Sequence, residues 1–218
     1  MPSPLAAGHA PGKIILCGEH AVVYGRPAIA APVAQARAFA EIYPHSHCLV
    51  EAADLDRRVD VASAPDHDPF ALIVRLICAE LGQPLPRWRI RVHSQIPIAS
   101  GLGSGAAIAT AIARGLLAAF AADLPAARLS ALVYEVERLH HGTPSGIDNS
   151  VVVYERPIWF VRGQPPLIFQ AGAPLHLLIA DTGVASPTKA AVAAVRRAWE
   201  QAPATYEAHF DAIAALVG

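Results

Sequence analysis

Three glycines, Gly101, Gly103 and Gly105, stand within five positions just before an alanine-rich segment that has helical spacing. Glycine lets the backbone approach a ligand closely, and the first turn of a helix presents N–H groups that carry a partial positive charge. The stretch "PIASGLGSGAA" (97–107) therefore predicts a phosphate-binding loop at the start of a helix.

Two other phosphate-binding patterns fit this loop less well. A Walker A loop ends in Gly-Lys-Ser/Thr, and this loop contains no lysine. Gly101, Gly103 and Ala106 satisfy the dinucleotide pattern G-x-G-x-x-A, but Asp123 lies between two predicted helices and does not follow a second strand. A glycine turn that only caps a core helix is the remaining alternative.

Lysine is scarce, since 15 of the 17 basic residues are arginine and only Lys13 and Lys189 are lysine. An ammonium can touch a single oxygen, whereas a guanidinium imposes a planar fork. Lys13 lies in "APGKIILCGEHAVVYG" (10–25), between a Pro-Gly turn and a predicted strand, and is followed by Glu19 and His20. Our hypothesis is that these polar groups converge on a ligand, with chance placement of the lysine as the alternative.

A third cluster occupies "EVERLHHGTPSGIDNS" (135–150). A predicted helix that carries Glu137 ends at His141, a Thr-Pro-Ser-Gly turn follows, and Asp148 comes just after the turn. In isolation, an ordinary helix cap is the simpler interpretation of Asp148.

These three clusters lie on elements that together predict an α+β fold. We expect strands in 12–25 and 33–44, a pair of short strands in 48–53 and 57–63, and a strand with alternating apolar residues in 88–92. We expect helices over 68–82, with Asp68 as N-cap, and over 104–122 and 125–141. A buried strand at 173–183 precedes a helix capped by Ser186 with Pro187 in its first turn. Prolines and glycines near 170–174 suggest a first domain of residues 1–172 and a second domain beginning at 173–218.

The composition favours a small-molecule partner. The 218 residues are 54% hydrophobic and carry a net charge of −1, and no basic run suggests nucleic acid or a membrane surface as partner. Cys17, Cys48 and Cys78 are dispersed, which fits reduced thiols in the cytoplasm, and no export signal is visible. The apolar window 106–122 contains Thr110 and Arg114 and predicts a core helix, not a membrane span.

Taken together, "GEHAVVYG", "PIASGLGSGAA" and "HGTPSGIDN", with support from "DTGVASPTK" (181–189), resemble in order the mevalonate kinase branch of the galactokinase, homoserine kinase, mevalonate kinase and phosphomevalonate kinase (GHMP kinase) superfamily. The resemblance spans nearly the whole chain. It implies a two-domain α+β fold, with an N-terminal ribosomal-protein-S5-like domain, a C-terminal α/β domain, and ATP and an acceptor alcohol bound in the cleft between them.

The resemblance also implies roles for individual residues. Asp148 would accept the C5-hydroxyl proton of mevalonate with Lys13 beside it, Glu19 and His20 would bind the substrate, and Glu137 and Ser104 would hold Mg²⁺. The residues that would contact ATP are Pro97, Ser100, Gly101, Leu102, Gly103, Ser104, Gly105 and Ala106.

The sequence departs from the family pattern in two places. Gly105 stands where relatives usually carry a second serine, so Ser104 or water would complete the Mg²⁺ shell. The family's third, glycine-rich motif does not occur before Gly218, which predicts an incomplete C-terminal domain.

Two hypotheses follow: a cytoplasmic kinase that phosphorylates mevalonate with ATP and Mg²⁺, or a catalytically deficient fragment or paralogue that binds nucleotide or mevalonate. Phosphomevalonate, homoserine and galactose are the alternative acceptors. No nucleic-acid or membrane partner is expected, and a homodimer is the expected assembly if the chain associates.

Overall fold

The computed structural model describes residues 3–97, 100–141, 144–180 and 188–218. Within these residues the chain forms a mixed sheet covered by helices, which confirms the predicted α+β class. The strands are β1 (Ala6–Cys17), β2 (Ala28–Pro44), β3 (Leu49–Ala52), β4 (Arg57–Asp60), β5 (Trp88–Ser94), β6 (Ile158–Phe160) and β7 (Leu167–Ile168). The α-helices are α1 (Pro69–Glu80), α2 (Ser104–Ala119), α3 (Ala126–His141), α4 (Ile147–Tyr154), α5 (Thr188–Gln201) and α6 (Pro203–Val217).

Strand β2 organises the sheet. It pairs antiparallel with β1 along most of its length, with β5 through residues 38–44 and with β6 through residues 28–30. Strand β3 lies parallel to β5 and antiparallel to β4, and β7 pairs with β6. The register of β1 on β2 shifts between Pro11 and Gly12, just before Lys13. This irregularity changes the direction of the strand immediately before the lysine.

Helix α2 lies against β1 and β2 at very short range. A Cβ atom added to Gly8 of β1 would lie 2.2 Å from the backbone nitrogen of Gly115 in α2, so only glycine fits at this position. Helices α1, α3 and α4 pack on α2, and its alanine-rich sequence is buried as a core helix. No helix in the described part of the chain is long and apolar enough to cross a membrane.

Most of the predicted elements occur close to their expected positions. Asp68 caps α1, since one carboxylate oxygen accepts hydrogen bonds from the N–H groups of Phe70 and Ala71, both at 2.9 Å. The predicted pair of short strands is the antiparallel β3–β4 pair. Strand β1 begins at Ala6, earlier than expected, because β2 supplies hydrogen-bond partners for a stretch with weak strand propensity.

Two predictions of secondary structure are wrong. Residues 21–24, predicted as part of a strand, form a short 3₁₀ helix, Ala21–Tyr24. Residues 173–180, predicted as a buried strand, are irregular and exposed, with Leu178 98% exposed. Their apolar alternation resembles a strand, but within the described residues no neighbouring strand pairs with them. Ser186 and Pro187, the predicted start of the following helix, lie outside the described residues.

Helices α5 and α6 form a pair at the end of the chain. Helix α5 contacts α3, and α6 packs against the 3₁₀ helix Ala21–Tyr24 and against β1 and β2. The end of the chain therefore lies next to the segment that contains Glu19 and His20.

Candidate functional site

Lys13 is a buried cation near the middle of β1. It is 7% exposed, and its Nζ lies 2.9 Å from Oδ1 of Asp148 in the first turn of α4. Removing two charges from water is costly, and the close contact between them offsets part of that cost. The structure thus brings together the two residues predicted to act on an acceptor, although they are far apart in the sequence.

The glycine loop is attached to Lys13 through the backbone. The N–H of Lys13 donates to the carbonyl of Leu102 at 2.9 Å, and a Cβ atom on Gly103 would lie 2.7 Å from Cγ of Lys13. Gly101 and Gly103 have φ of 77° and 71°, in the left-handed region that favours glycine. Gly103 is the N-cap of α2 and no side chain caps the helix, so the N–H groups of the first turn are available for an anion.

Asp148 is positioned by its own short helix and by the residue that follows it. Gly146, with φ of 93°, is the N-cap of α4, and Asp148 lies in the first turn, where the helix dipole favours an anion. Asn149 is buried and its Nδ2 donates to the backbone oxygen and the hydroxyl of Ser130 on α3, at 3.0 and 2.9 Å. Helix α4 is therefore fixed to α3 beside the carboxylate. Gly142 and Thr143 of the preceding turn lie outside the described residues.

Glu137 of α3 is only 3% exposed and faces the same site. Its carboxylate and the carboxylate of Asp148 line one cavity with Ser104, the first residue of α2. Carboxylate and hydroxyl oxygens are ligands that Mg²⁺ accepts, with water and substrate phosphates completing the shell. The residues fit such an ion. No group of three or more His, Cys, Asp or Glu side chains with metal-holding geometry occurs within the described ranges.

Two adjoining cavities meet at the Lys13–Asp148 pair. The larger, of about 660 Å³, extends along the glycine loop toward Leu55, Arg57 and Phe70. The smaller, of about 300 Å³, extends toward His20 and α5. The residues that line both are Lys13, Ile15, Glu19, Glu137 and Asp148. The ion pair thus lies where a ligand in one cavity would meet a ligand in the other.

The other predicted site residues differ in how they face these cavities. Ser100, Gly101, Leu102 and Gly105 line the larger cavity together with Gly103 and Ser104. Pro97 and Ala106 are not among the residues that line it: Pro97 is exposed and its carbonyl accepts a hydrogen bond from the Ser100 hydroxyl, and Ala106 is buried in the core. Glu19 lines both cavities and His20 the smaller one.

One residue of the smaller cavity was not found from the sequence. Arg196 of α5 lines it opposite His20, together with Val192 and Ala193. Its Nε donates to Glu200 at 3.1 Å, an i,i+4 pair that looks in the sequence like an ordinary helix surface. Only the packing of α5 brings this guanidinium to the cavity.

Residues 70–156 match the family model described as the GHMP kinases N terminal domain. The chain is 31% identical over 212 residues to the mevalonate kinase of Pyrococcus furiosus, covering 89% of this chain and 62% of that protein. It is 32% identical over 217 residues to the mevalonate kinase of Thermococcus gammatolerans, covering 91% of this chain and 64% of that protein. The chain therefore spans less than two thirds of the length of these curated relatives.

Solved structures show the same fold. The L. major mevalonate kinase in complex with R-mevalonate superposes with a TM-score of 0.70 at 23% identity, covering 100% of this chain and 70% of that one. The Methanococcus jannaschii mevalonate kinase superposes with a TM-score of 0.67 at 24% identity, covering 76% of this chain and 56% of that one. These similarities confirm the predicted fold.

Proposed function

We propose that this chain is a member of the GHMP kinase superfamily, whose N-terminal domain model matches residues 70–156, and that it transfers the γ-phosphoryl group of ATP to the C5 hydroxyl of mevalonate. The products would be ADP and 5-phosphomevalonate. The observation that carries the proposal is the 2.9 Å contact between Lys13 and Asp148 at the junction of the two cavities. The names of the curated relatives support mevalonate as the acceptor.

The larger cavity is the proposed ATP site. Gly101 and Gly103 let the loop backbone lie close to the phosphates, and the first turn of α2 directs its N–H groups at them. In this proposal Glu137 and Ser104 hold Mg²⁺, which neutralises charge on the β- and γ-phosphates when bound. Gly105 offers no hydroxyl, so Ser104 or water would complete the shell of the ion.

Asp148 is the proposed acceptor of the hydroxyl proton. The C5 oxygen forms a bond to the γ-phosphorus, the bond between that phosphorus and the β,γ-bridging oxygen breaks, and the hydroxyl proton moves to the carboxylate of Asp148. The ammonium of Lys13 stabilises negative charge on the attacking oxygen and on the transferred group. Because the backbone of Lys13 also binds the glycine loop, this residue sets the distance between the two substrates.

The smaller cavity is the proposed mevalonate site. Arg196 and His20 supply positive or hydrogen-bonding groups for the carboxylate of the substrate, and Glu19 can accept a hydrogen bond from a substrate hydroxyl. We place the protein in the cytoplasm because Cys48 and Cys78 are buried free thiols. Association of the chain into a homodimer remains part of the proposal.

A single assay across acceptors tests the proposed function. ADP formation, measured by a coupled reaction, is compared for mevalonate, phosphomevalonate, homoserine and galactose at saturating Mg²⁺-ATP. We expect mevalonate to give the highest kcat/KM, since among the described residues that line the smaller cavity Arg196 alone carries a guanidinium, and the phosphate of phosphomevalonate would call for more basic groups. Equal or faster turnover of another acceptor would reject mevalonate. Binding of mevalonate without turnover would favour a catalytically deficient binding protein.

A further inference from the structure

Helix α5 forms one wall of the smaller cavity, yet it has few direct attachments to the rest of the fold. It contacts α3 and α6, and α6 in turn packs on the 3₁₀ helix Ala21–Tyr24. The position of Arg196 in the cavity therefore depends on how α6 is held. In addition to its packing on β1 and β2, α6 makes polar and aromatic contacts with the residues on either side of Gly25.

Arg26 is the polar part of this connection. Its guanidinium donates from Nη2 to Glu207 at 2.5 Å, and from Nε and Nη2 to Asp211 at 3.0 and 2.8 Å, while Nη1 donates to the carbonyl of Tyr24 at 3.0 Å. One isolated exposed ion pair contributes little to stability, but a guanidinium that engages two carboxylates and a carbonyl holds a defined geometry. Arg26 thus fixes α6 to the segment that ends the Glu19–His20 loop.

Glu207 extends the connection to α5. Its Oε2 accepts from Arg26, and its Oε1 accepts from the indole N–H of Trp199 at 2.8 Å. Trp199 lies three residues after Arg196 on the same helix, so the two side chains lie within one turn of each other. The carboxylate of Glu207 therefore links Arg26, which follows the Glu19–His20 loop, to α5, which lines the smaller cavity.

Aromatic contacts enclose this connection. The rings of Tyr24 and Phe210 stack with centroids 4.3 Å apart, and the ring of Trp199 lies 5.5 Å from that of Tyr24. Offset aromatic contacts add specific geometry to the buried area. Both the polar and the aromatic contacts hold the α5–α6 pair against residues 24–26.

We propose that Arg26, Glu207 and Trp199, with the stacked Tyr24 and Phe210, form a latch that seats α5 against the acceptor cavity and so sets the affinity for the acceptor. Arg26 and Glu207 are positioning residues, because neither lines either cavity and both act through Arg196. This inference rests on the proposed function for the identity of the acceptor. It does not involve the glycine loop, so the latch should leave ATP binding unchanged.

The test compares Arg26→Gln and Glu207→Gln with Arg128→Gln. Arg128 makes a similar two-bond contact with Glu80, at 2.8 and 2.5 Å, away from both cavities, and is the matched control for loss of an arginine–carboxylate pair. For the two latch variants we expect the KM for mevalonate to rise about tenfold. The KM for ATP should stay within about twofold and kcat within about threefold. Arg128→Gln should change none of these values.

Two further measurements make the result decisive. Amide hydrogen exchange of the free protein should be faster in 191–201 for both latch variants and unchanged for Arg128→Gln. Arg26→Lys should recover part of the lost affinity, because a lysine keeps one of the charged hydrogen bonds.

Each outcome has one meaning. Unchanged exchange in α5 overturns the latch, as does an unchanged KM for mevalonate when the wild-type protein phosphorylates mevalonate. Failure of the wild-type protein to phosphorylate mevalonate rejects the proposed function, and hydrogen exchange alone then decides whether the latch seats α5.

Discussion

At the scale of single residues, Lys13 connects both halves of the site. Its N–H binds the glycine loop at Leu102, its stem packs on Gly103, and its ammonium pairs with Asp148. A displacement of this side chain therefore changes the phosphate side and the acceptor side together. Its burial explains why a long, single-point cation serves here and a planar guanidinium would not fit in the same space.

The two glycines of the loop provide a direct test of this packing. Both have positive φ, so alanine at either position adds about 1–2 kcal/mol of backbone strain. A Cβ on Gly103 also meets Cγ of Lys13 at 2.7 Å, whereas a Cβ on Gly101 meets nothing within 4 Å. We expect Gly103→Ala to lower kcat/KM about 100-fold and Gly101→Ala about tenfold, measured by steady-state kinetics. Equal losses in the two variants would show that the contact with Lys13 does not matter.

At this scale, the sequence drew attention to residues whose type or position is unusual. Lys13 stood out because lysine is scarce, and Asp148 because it follows a glycine turn. Arg196 could not be found in this way, since it is one of 15 arginines and pairs with Glu200 on its own helix. Its place in the cavity comes from tertiary packing of α5, which no local pattern specifies.

At the scale of secondary structure, α4 carries Asp148, the proposed catalytic carboxylate, and its position depends on contacts with its neighbours. Asn149 holds it through two hydrogen bonds to Ser130 on α3. Ser150, the next residue, instead makes a hydrogen bond within its own helix, from its hydroxyl to the carbonyl of Gly146 at 2.7 Å. Asn149 therefore anchors α4 to α3, whereas Ser150 forms its hydrogen bond within α4.

Substitution of these neighbours tests the anchor. Asn149→Ala should lower the free energy of unfolding by about 2–3 kcal/mol, because two buried hydrogen bonds are lost and the groups of Ser130 lose their partner. Ser150→Ala should cost about 1 kcal/mol or less. Turnover of mevalonate should fall in Asn149→Ala and persist in Ser150→Ala, with chemical denaturation and the coupled assay as the measurements. A larger loss of stability in Ser150→Ala would contradict the anchoring role.

The elements themselves were predictable from sequence to different degrees. Helix α1 was found because Asp68 and Gly82 mark its ends, and β5 because Trp88, Ile90 and Val92 alternate. The strand predicted at 173–183 is absent from its described residues, 173–180, although its pattern is similarly apolar. A strand requires a neighbour that supplies hydrogen bonds, and periodicity within one segment carries no information about that neighbour.

At the scale of the whole molecule, an apolar strip remains exposed. Leu175, Leu177, Leu178 and Ile179 lie on the surface, and Leu167 and Ile168 of the edge strand β7 are exposed as well. Exposed apolar groups of this number favour association with another surface. The strip is thus the part of the surface where we expect two copies to meet.

Replacement of Leu178 by glutamate tests this expectation. The side chain is 98% exposed, so the charge should leave the melting temperature within about 2 °C. Self-association measured by sedimentation velocity should weaken markedly in Leu178→Glu relative to the wild-type chain. Unaltered association in the variant would place any interface elsewhere.

The reactivity of the three cysteine thiols tests whether the core is packed, because two of the three are buried in it. Burial raises the pKa of Cys48 to about 12 and that of Cys78 to about 11, and the neighbouring Cys78 thiol adds to the increase at Cys48. Because the thiolate is the reactive form, both stay protonated and inert at pH 8, while the half-buried Cys17 remains accessible. Titration with a thiol reagent should show one fast site in the native protein and three after denaturation. Rapid labelling of Cys48 in the native protein would contradict this core.

The most direct test of the central claim is the turnover of mevalonate by Asp148→Asn. The substitution keeps the size of the side chain and removes the carboxylate that is proposed to take the hydroxyl proton, so kcat should fall about 10²–10⁴-fold. The dissociation constant of ATP should stay within about threefold, since the glycine loop is unchanged. Near-native turnover by Asp148→Asn would contradict the assignment of the Lys13–Asp148 pair as the centre of the reaction.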